Sequence, residues 1–186
     1  MNGDPVRYVD PLGLSAMNGC DTKKRVEALR EKYAHLTPTQ RSARLEQLAE
    51  ANAYRHLQEL ESSIPGAHFL QKHGAHTSME AQLDRATTGR NPTTGRIDTY
   101  GNGRPSIPTA ATKFYSHRDQ WNIIQRAQHI LDTTGRIIDA QKPISSRYII
   151  GGGYQRGTLD YADSYTSVVY FNENKQPKTA FPQWGI

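Results

Sequence analysis

Apolar residues recur at helical intervals up to about Gly135 and fall into short strand-like runs beyond it, and this change of period constrains the fold more than any other feature. Strands are predicted at Arg136 to Ala140, Arg147 to Ile150, Tyr165 to Phe171 and Lys178 to Phe181. Asn172-Glu173-Asn174-Lys175 supplies a hairpin turn between the last two. Gly151-Gly152-Gly153-Tyr154 reads as a bulge or turn that would let a substrate backbone approach closely. No Lys-Ser/Thr follows it, so it is not a phosphate loop of the G-x-x-x-x-G-K-S type. Helices first and strands later predict an α+β domain with a mainly antiparallel sheet.

The N-terminal part reads as a helical hairpin over 15–62. Asp21 is the expected cap of a first helix through Leu36, with Val26, Leu29, Tyr33 and Leu36 in helical register. Thr37-Pro38 provides an N-cap and first-turn proline for a second helix to about Glu61, with Leu45, Leu48, Ala49, Leu57 and Leu60 on one face. His35 and His56 are read as solvated helix residues. Ser62-Ser63-Ile64-Pro65-Gly66 breaks the pattern and predicts a boundary, leaving 63–186 as a second domain. In that domain Thr77-Ser78-Met79-Glu80 predicts a capping box opening a helix to about Ala86. A long mobile loop rich in Gly, Pro, Thr and Asn, carrying Arg90, Arg96 and Arg104, is expected over 89–108. A second capped helix starts at Ser116, with His117 in its cap and His129 on its exposed face, burying Trp121, Ile124, Ala127, Ile130 and Leu131.

Charge separates the two parts. Residues 1–62 hold nine Lys/Arg against nine Asp/Glu, whereas residues 63–186 hold fourteen against nine, so the net +5 lies in the second. A basic excess with ten tyrosines and a mean hydropathy of -0.75 suits a polyanionic partner such as RNA. The one cysteine, Cys20, cannot form an internal disulfide, which fits action in a reducing cytoplasm. No apolar run approaches the roughly 20 residues that span a bilayer, so no membrane insertion is expected, and no cleavable leader is recognised.

His68, His73 and His76 form the densest group of side chains titrating near neutrality, suited to acid-base work. His73 and His76 also precede a helix N-terminus, where an anion is favoured. The cluster lacks an H-E-x-x-H or Cys-His ligand pattern, so no metal and no other cofactor is predicted. Cleavage of RNA by its own 2'-hydroxyl needs a base, a cation for the phosphate and an acid for the leaving oxygen.

Two resemblances sharpen this reading. Asp4-Pro5-Val6-Arg7-Tyr8-Val9-Asp10-Pro11-Leu12-Gly13-Leu14 resembles the junction that ends the core of Rhs repeat proteins, a self-cleaving β-shell followed by a variable toxic domain. The resemblance makes 1–14 a remnant of that shell. It implies delivery by a secretion apparatus such as the type VI system into the cytoplasm of a target bacterium, in interbacterial competition. It also implies a cognate immunity protein, expected to be acidic.

His73-Gly74-Ala75-His76-Thr77 with Leu83 and Arg85, the segment Thr109 to Ala127, and Lys178-Thr179-Ala180-Phe181-Pro182 are together similar to the RNase A-like toxins of contact-dependent inhibition proteins. That resemblance implies an RNase A-like domain with two helices and an antiparallel sheet, and RNA cleavage without metal to a 2',3'-cyclic phosphate. It assigns His73, Arg85 and Thr179 as catalytic; the reaction itself calls for a second proton carrier, for which Lys178 or His76 is the candidate. Phe181, Tyr154, Lys72 and Arg90 are candidates for substrate binding. The chain departs from the family in carrying one extra residue between His73 and Arg85 and in having Phe181 where the family has tyrosine. A phenolic role would then fall to Tyr154, Tyr161 or Tyr170.

Two other classes compete. An ADP-ribosyltransferase would need a late catalytic glutamate, and after Asp163 the only acid is Glu173, in the expected turn. A non-enzymatic nucleic-acid-binding toxin would act by sequestration.

Overall fold

The computed structural model describes residues 19–185. The Asp-Pro segment 1–14, expected to be a junction remnant, lies outside them. The chain forms two compact units, one up to His56 and the other from Leu57, so the division falls inside a helix, ahead of Ser62 to Gly66.

The first unit holds α1 (Gly19–Lys32) and the greater part of α2 (Pro38–Ser63). Helix α1 begins ahead of Asp21, which therefore sits in the first turn rather than at the cap. It also stops short of Leu36. Tight backbone bonds from Ala34 N to Glu31 O and from Leu36 N to Tyr33 O (both 3.1 Å) close it, because Thr37 precedes a proline and is pushed out of helical geometry. Thr37 then caps α2 as expected: its Oγ1 accepts from Gln40 N (3.3 Å) while Gln40 Oε1 accepts from Thr37 N (3.0 Å). Tyr33, Ala49 and Ala53 are buried.

The second unit is α+β. Its elements after α2 are α3 (Phe69–His73), α4 (Met79–Thr88), β1 (Ala110–Phe114), α5 (His117–Thr134), β2 (Ile144–Ser145), β3 (Gly151–Gln155), β4 (Tyr161–Ser164), β5 (Thr166–Phe171) and β6 (Pro177–Pro182). The strands form two antiparallel three-stranded sheets, in the orders β1-β3-β4 and β2-β5-β6. Thr112 Oγ1 ties the sheets by donating to Pro182 O at 2.7 Å. Leu57, Phe69, Phe114, Ile124, Ile138, Ile150, Val168 and Val169 are fully buried and form the core.

Several local expectations change. The capping box is displaced by one residue: Ser78 caps α4 by accepting from Ala81 N (3.1 Å), and Thr77 instead donates to Gly74 O (2.9 Å). Residues 136–140 are not a strand, although Ile138 is buried, and 147–150 are likewise irregular, with the short β2 lying just before them. The glycine triplet is no turn but the start of β3, the central strand of its sheet. Glycine is required there because a Cβ on Gly151 or Gly153 would run into the carbonyls of Lys113 or Ala111 on β1. The 89–108 segment carries two small paired turns, Arg90 opposite Ile97 and Thr99 opposite Pro105. Helix α5 keeps its predicted cap, Ser116 Oγ accepting from Asp119 N (3.2 Å), and ends at Gly135 in the left-handed region. Trp121 and Ile130 on it are only half-buried. The hairpin turn at 172–175 forms as read, with Lys175 N bonded to Asn172 O (2.9 Å).

Candidate active site

The site grows from a helix too short to hold itself. Helix α3 spans Phe69 to His73, and its free N-terminal amides are satisfied from outside the helix: Glu61 Oε2 accepts from Leu70 N (2.5 Å) and Glu61 Oε1 from Gln71 N (3.2 Å). Burial pushes the Glu61 carboxyl up, opposed by these two amides. The loop after α3 is clamped as firmly. Lys113 Nζ donates to Ala75 O (2.7 Å) and to Thr77 O, and Gln82 Nε2 donates to Lys72 O (2.9 Å) and Thr77 Oγ1 (3.0 Å). Gly74 leaves no room for a side chain, since a Cβ would lie 2.6 Å from Leu70 O and 2.7 Å from the His76 ring.

These constraints place His73 between β1 and β6. It is 4% exposed, and its Nδ1 lies 2.7 Å from Thr112 O. A carbonyl only accepts, so Nδ1 carries the proton, leaving the lone pair of the neutral ring on Nε2. The ring stacks on Phe181 with centroids 5.1 Å apart and planes at 27°. Arg85 Nη1 is 3.5 Å from both ring nitrogens, so it faces the ring rather than aiming at either lone pair. Nη1 is anchored on Lys72 O (3.3 Å), whereas Nε and Nη2 of Arg85 donate to no group among the described residues.

Burial, then the Arg85 charge, hold the His73 pKa well below the ordinary histidine value, opposed by the Thr112 carbonyl. His73 is therefore neutral near pH 7, with an unprotonated Nε2 that is a weaker base than that of a free imidazole. Burial also pushes Arg85 down to about 10, which leaves it charged. His68 is the second imidazole whose charge acts on His73, and Arg85, Lys72 and Lys178 act on His68 in turn. Its Nδ1 lies 3.0 Å from Gly66 O, which again leaves the lone pair on Nε2, and burial lowers its pKa.

The candidates named from sequence divide into two groups. Arg85 and Phe181 contact His73 directly. Thr179 lies two residues from Phe181 on the same face of β6, and its Oγ1 is buried without a hydrogen-bond partner. Lys178 is exposed, with its backbone carbonyl accepting from His68 N (3.0 Å). Lys72 is paired to Asp98 at 2.7 Å. The others lie elsewhere. His76 is exposed and stacks on His117 (centroids 5.6 Å, 16°), and the charges acting on it are those of His117 and Lys113 rather than of His73. Arg90 is held by Asp84 (2.9 Å) and by Gly95 O (2.7 Å), and Tyr154 lies edge-on to Tyr161 in the other sheet.

Of the two side chains expected as second proton carrier, His76 turns to His117 and Lys178 is exposed, whereas His68 is the imidazole whose charge acts on His73; Glu61 has no place in the sequence expectations for the site. His68 was legible as part of the cluster, but its direction depends on the Gly66 turn. Among the described residues, no three His, Cys, Asp or Glu side chains gather as a metal-ligand set, and no helix is long and apolar enough to cross a membrane. No family model, curated protein or solved structure matches this chain.

Proposed function

We propose that this protein is an endoribonuclease of RNase A-like type, acting without metal as the toxic domain of an Rhs protein. The observation that carries the reading is the neutral, Nδ1-protonated His73 packed against a buried guanidinium with unpaired donors. Its Nε2 removes the proton of the ribose 2'-hydroxyl, and the 2'-oxygen attacks phosphorus. The free N–H groups of Arg85 and the unpaired hydroxyl of Thr179 bind the non-bridging oxygens as charge gathers there. The bond to the 5'-oxygen breaks, that oxygen receives a proton from His68, and a 2',3'-cyclic phosphate remains. The phosphate is itself an anion, so on binding it raises the pKa of His68 and favours the acid form that step requires.

The net positive charge of this part of the chain favours an acidic immunity protein, whose association should slow as salt rises. The chemistry is tested by incubating the protein with RNA in chelator near pH 7 and analysing the ends. Cyclic phosphate termini, lost in His73→Ala, are expected. Intact RNA, or cleavage that persists in a folded His73→Ala variant, would exclude this mechanism.

A further inference from the structure

A second group of side chains lies on the other sheet. Asp163 on β4 accepts through Oδ1 from Tyr115 Oη (2.8 Å) and from Tyr161 Oη (2.5 Å), while the two phenols also touch each other. They meet above Gly152, where a Cβ would lie 2.5 Å from Tyr115 Oη and 2.8 Å from Tyr161 Oη, so the central strand is bare for their sake. The rings remain open to solvent, with Tyr115 44% and Tyr161 48% exposed, and Tyr154 braces Tyr161 edge-on at 5.6 Å. The two phenols hold the Asp163 carboxyl below its ordinary range. Oδ2 of Asp163 accepts from none of the described residues.

Hydrogen-bond arithmetic restricts what this group can take. Each phenol has one proton, and both are directed within the cluster, so it offers a ligand flat aromatic faces and a carboxylate oxygen but no donor. A complementary ligand brings a flat face and adjacent donors with no acceptor among them. Among nucleobases only guanine does so, through N1–H beside the N2 amino group. Adenine and cytosine set a ring acceptor next to their amino group, and uracil flanks its N–H with two carbonyls. The placement also fits. Lys113, Gly152 and Asp163 stand in one row across β1, β3 and β4, about 10 Å end to end at ordinary strand spacing. The row thus starts at the lysine that clamps the loop after His73, one residue past the carbonyl that orients His73. A cationic partner side chain would also satisfy Asp163, but residues 57–186 hold fourteen Lys/Arg against eleven Asp/Glu and favour a polyanion.

We infer that Asp163, Tyr115 and Tyr161 form a guanine-binding subsite for single-stranded RNA. The inference rests on the ribonuclease reading and adds a base preference to it. The test is fluorescence anisotropy of the full chain with 2'-O-methyl hexanucleotides, which lack the attacking hydroxyl: hexauridylate, and the same oligomer with one central guanosine, adenosine or cytidine. The guanosine oligomer should bind about 10-fold more tightly than the others, as expected for two adjacent base donors satisfied on the one free carboxylate oxygen. Asp163→Asn, with unchanged melting temperature, should abolish that preference. Equal binding of all four overturns the guanine subsite and leaves the ribonuclease reading standing, whereas no binding of any overturns both. A preference that survives in Asp163→Asn, or an arginine-rich peptide that binds the wild type and not the variant, also overturns it. The wild-type comparison decides the matter even if the variant fails to fold.

Discussion

Arg85 Nη1 sits 3.5 Å from both nitrogens of His73, so a fixed positive charge bears on the imidazole face. Removing it in Arg85→Gln should raise the His73 pKa while burial still holds it below the ordinary value. Titration of the His73 ring by NMR checks this; a midpoint that falls would contradict the assigned geometry. Turnover in Arg85→Gln should drop about 100-fold or more if the guanidinium stabilises developing charge. Arg85→Lys should recover only part of it, because the planar fork is lost.

Stability should decline on the acid side of neutrality. The pKa values of His68 and His73 are depressed in the folded chain, so from about pH 6.5 downwards the unfolded chain binds more protons. Their contribution is complete above that pH and is lost as pH falls toward the folded values. Urea unfolding at a series of pH values should show the slope. In His73→Gln the slope should be shallower, and an unchanged slope would assign the effect to other groups.

Glu61 holds α3 by its N-terminal amides, and Glu61→Ala should cost about 1–2 kcal/mol, the range for loss of a helix cap. Because α3 ends on His73, the variant should also lose activity by displacing that ring. Thermal melts together with assays well below the melting temperature separate the two effects. Full activity per folded molecule would show that His73 is positioned without α3.

Gly153→Ala should be among the most damaging small substitutions in the chain, since its Cβ would enter the Ala111 carbonyl across the ladder. A loss of about 1–3 kcal/mol is expected from overpacking alone. Gly101→Ala, where nothing lies within 4 Å of the added carbon, serves as the control and should be nearly neutral.

Helices α1, α2, α4 and α5 were legible because their signals are local, whereas α3 was not expected, since its N-terminal amides are satisfied by Glu61 of α2 and not by a cap of its own. Thr37-Pro38, Ser116 and the left-handed glycines at 89 and 135 mark the ends of elements with no help from the rest of the chain. The last two strands were equally plain from their alternating side chains and turn. Strands β1, β3 and β4 were not, for a physical reason. Gly151 to Gly153 carry no side chain with which to alternate, and they are a strand because they pair with β1 and β4, which approach too closely for anything larger. The site was half readable. Of the residues the resemblance assigns, Arg85 contacts His73 and Thr179 lies two residues from Phe181 on β6; Phe181, expected only as a substrate contact, stacks on the ring, while His76 turns to His117 and the His68 charge acts on His73, an arrangement of the backbone that residue spacing does not encode.

Strand β1 serves three tasks within four residues: the Thr112 carbonyl orients His73, the Lys113 ammonium secures the following loop, and Tyr115, one step past the strand, reaches over Gly152. A single rail of this kind offers no graded failure. When heat or denaturant peels it from β3, the imidazole, its supporting loop and the tyrosine cradle are released together, so inactivation should coincide with deuterium uptake at the β1 amides rather than precede it.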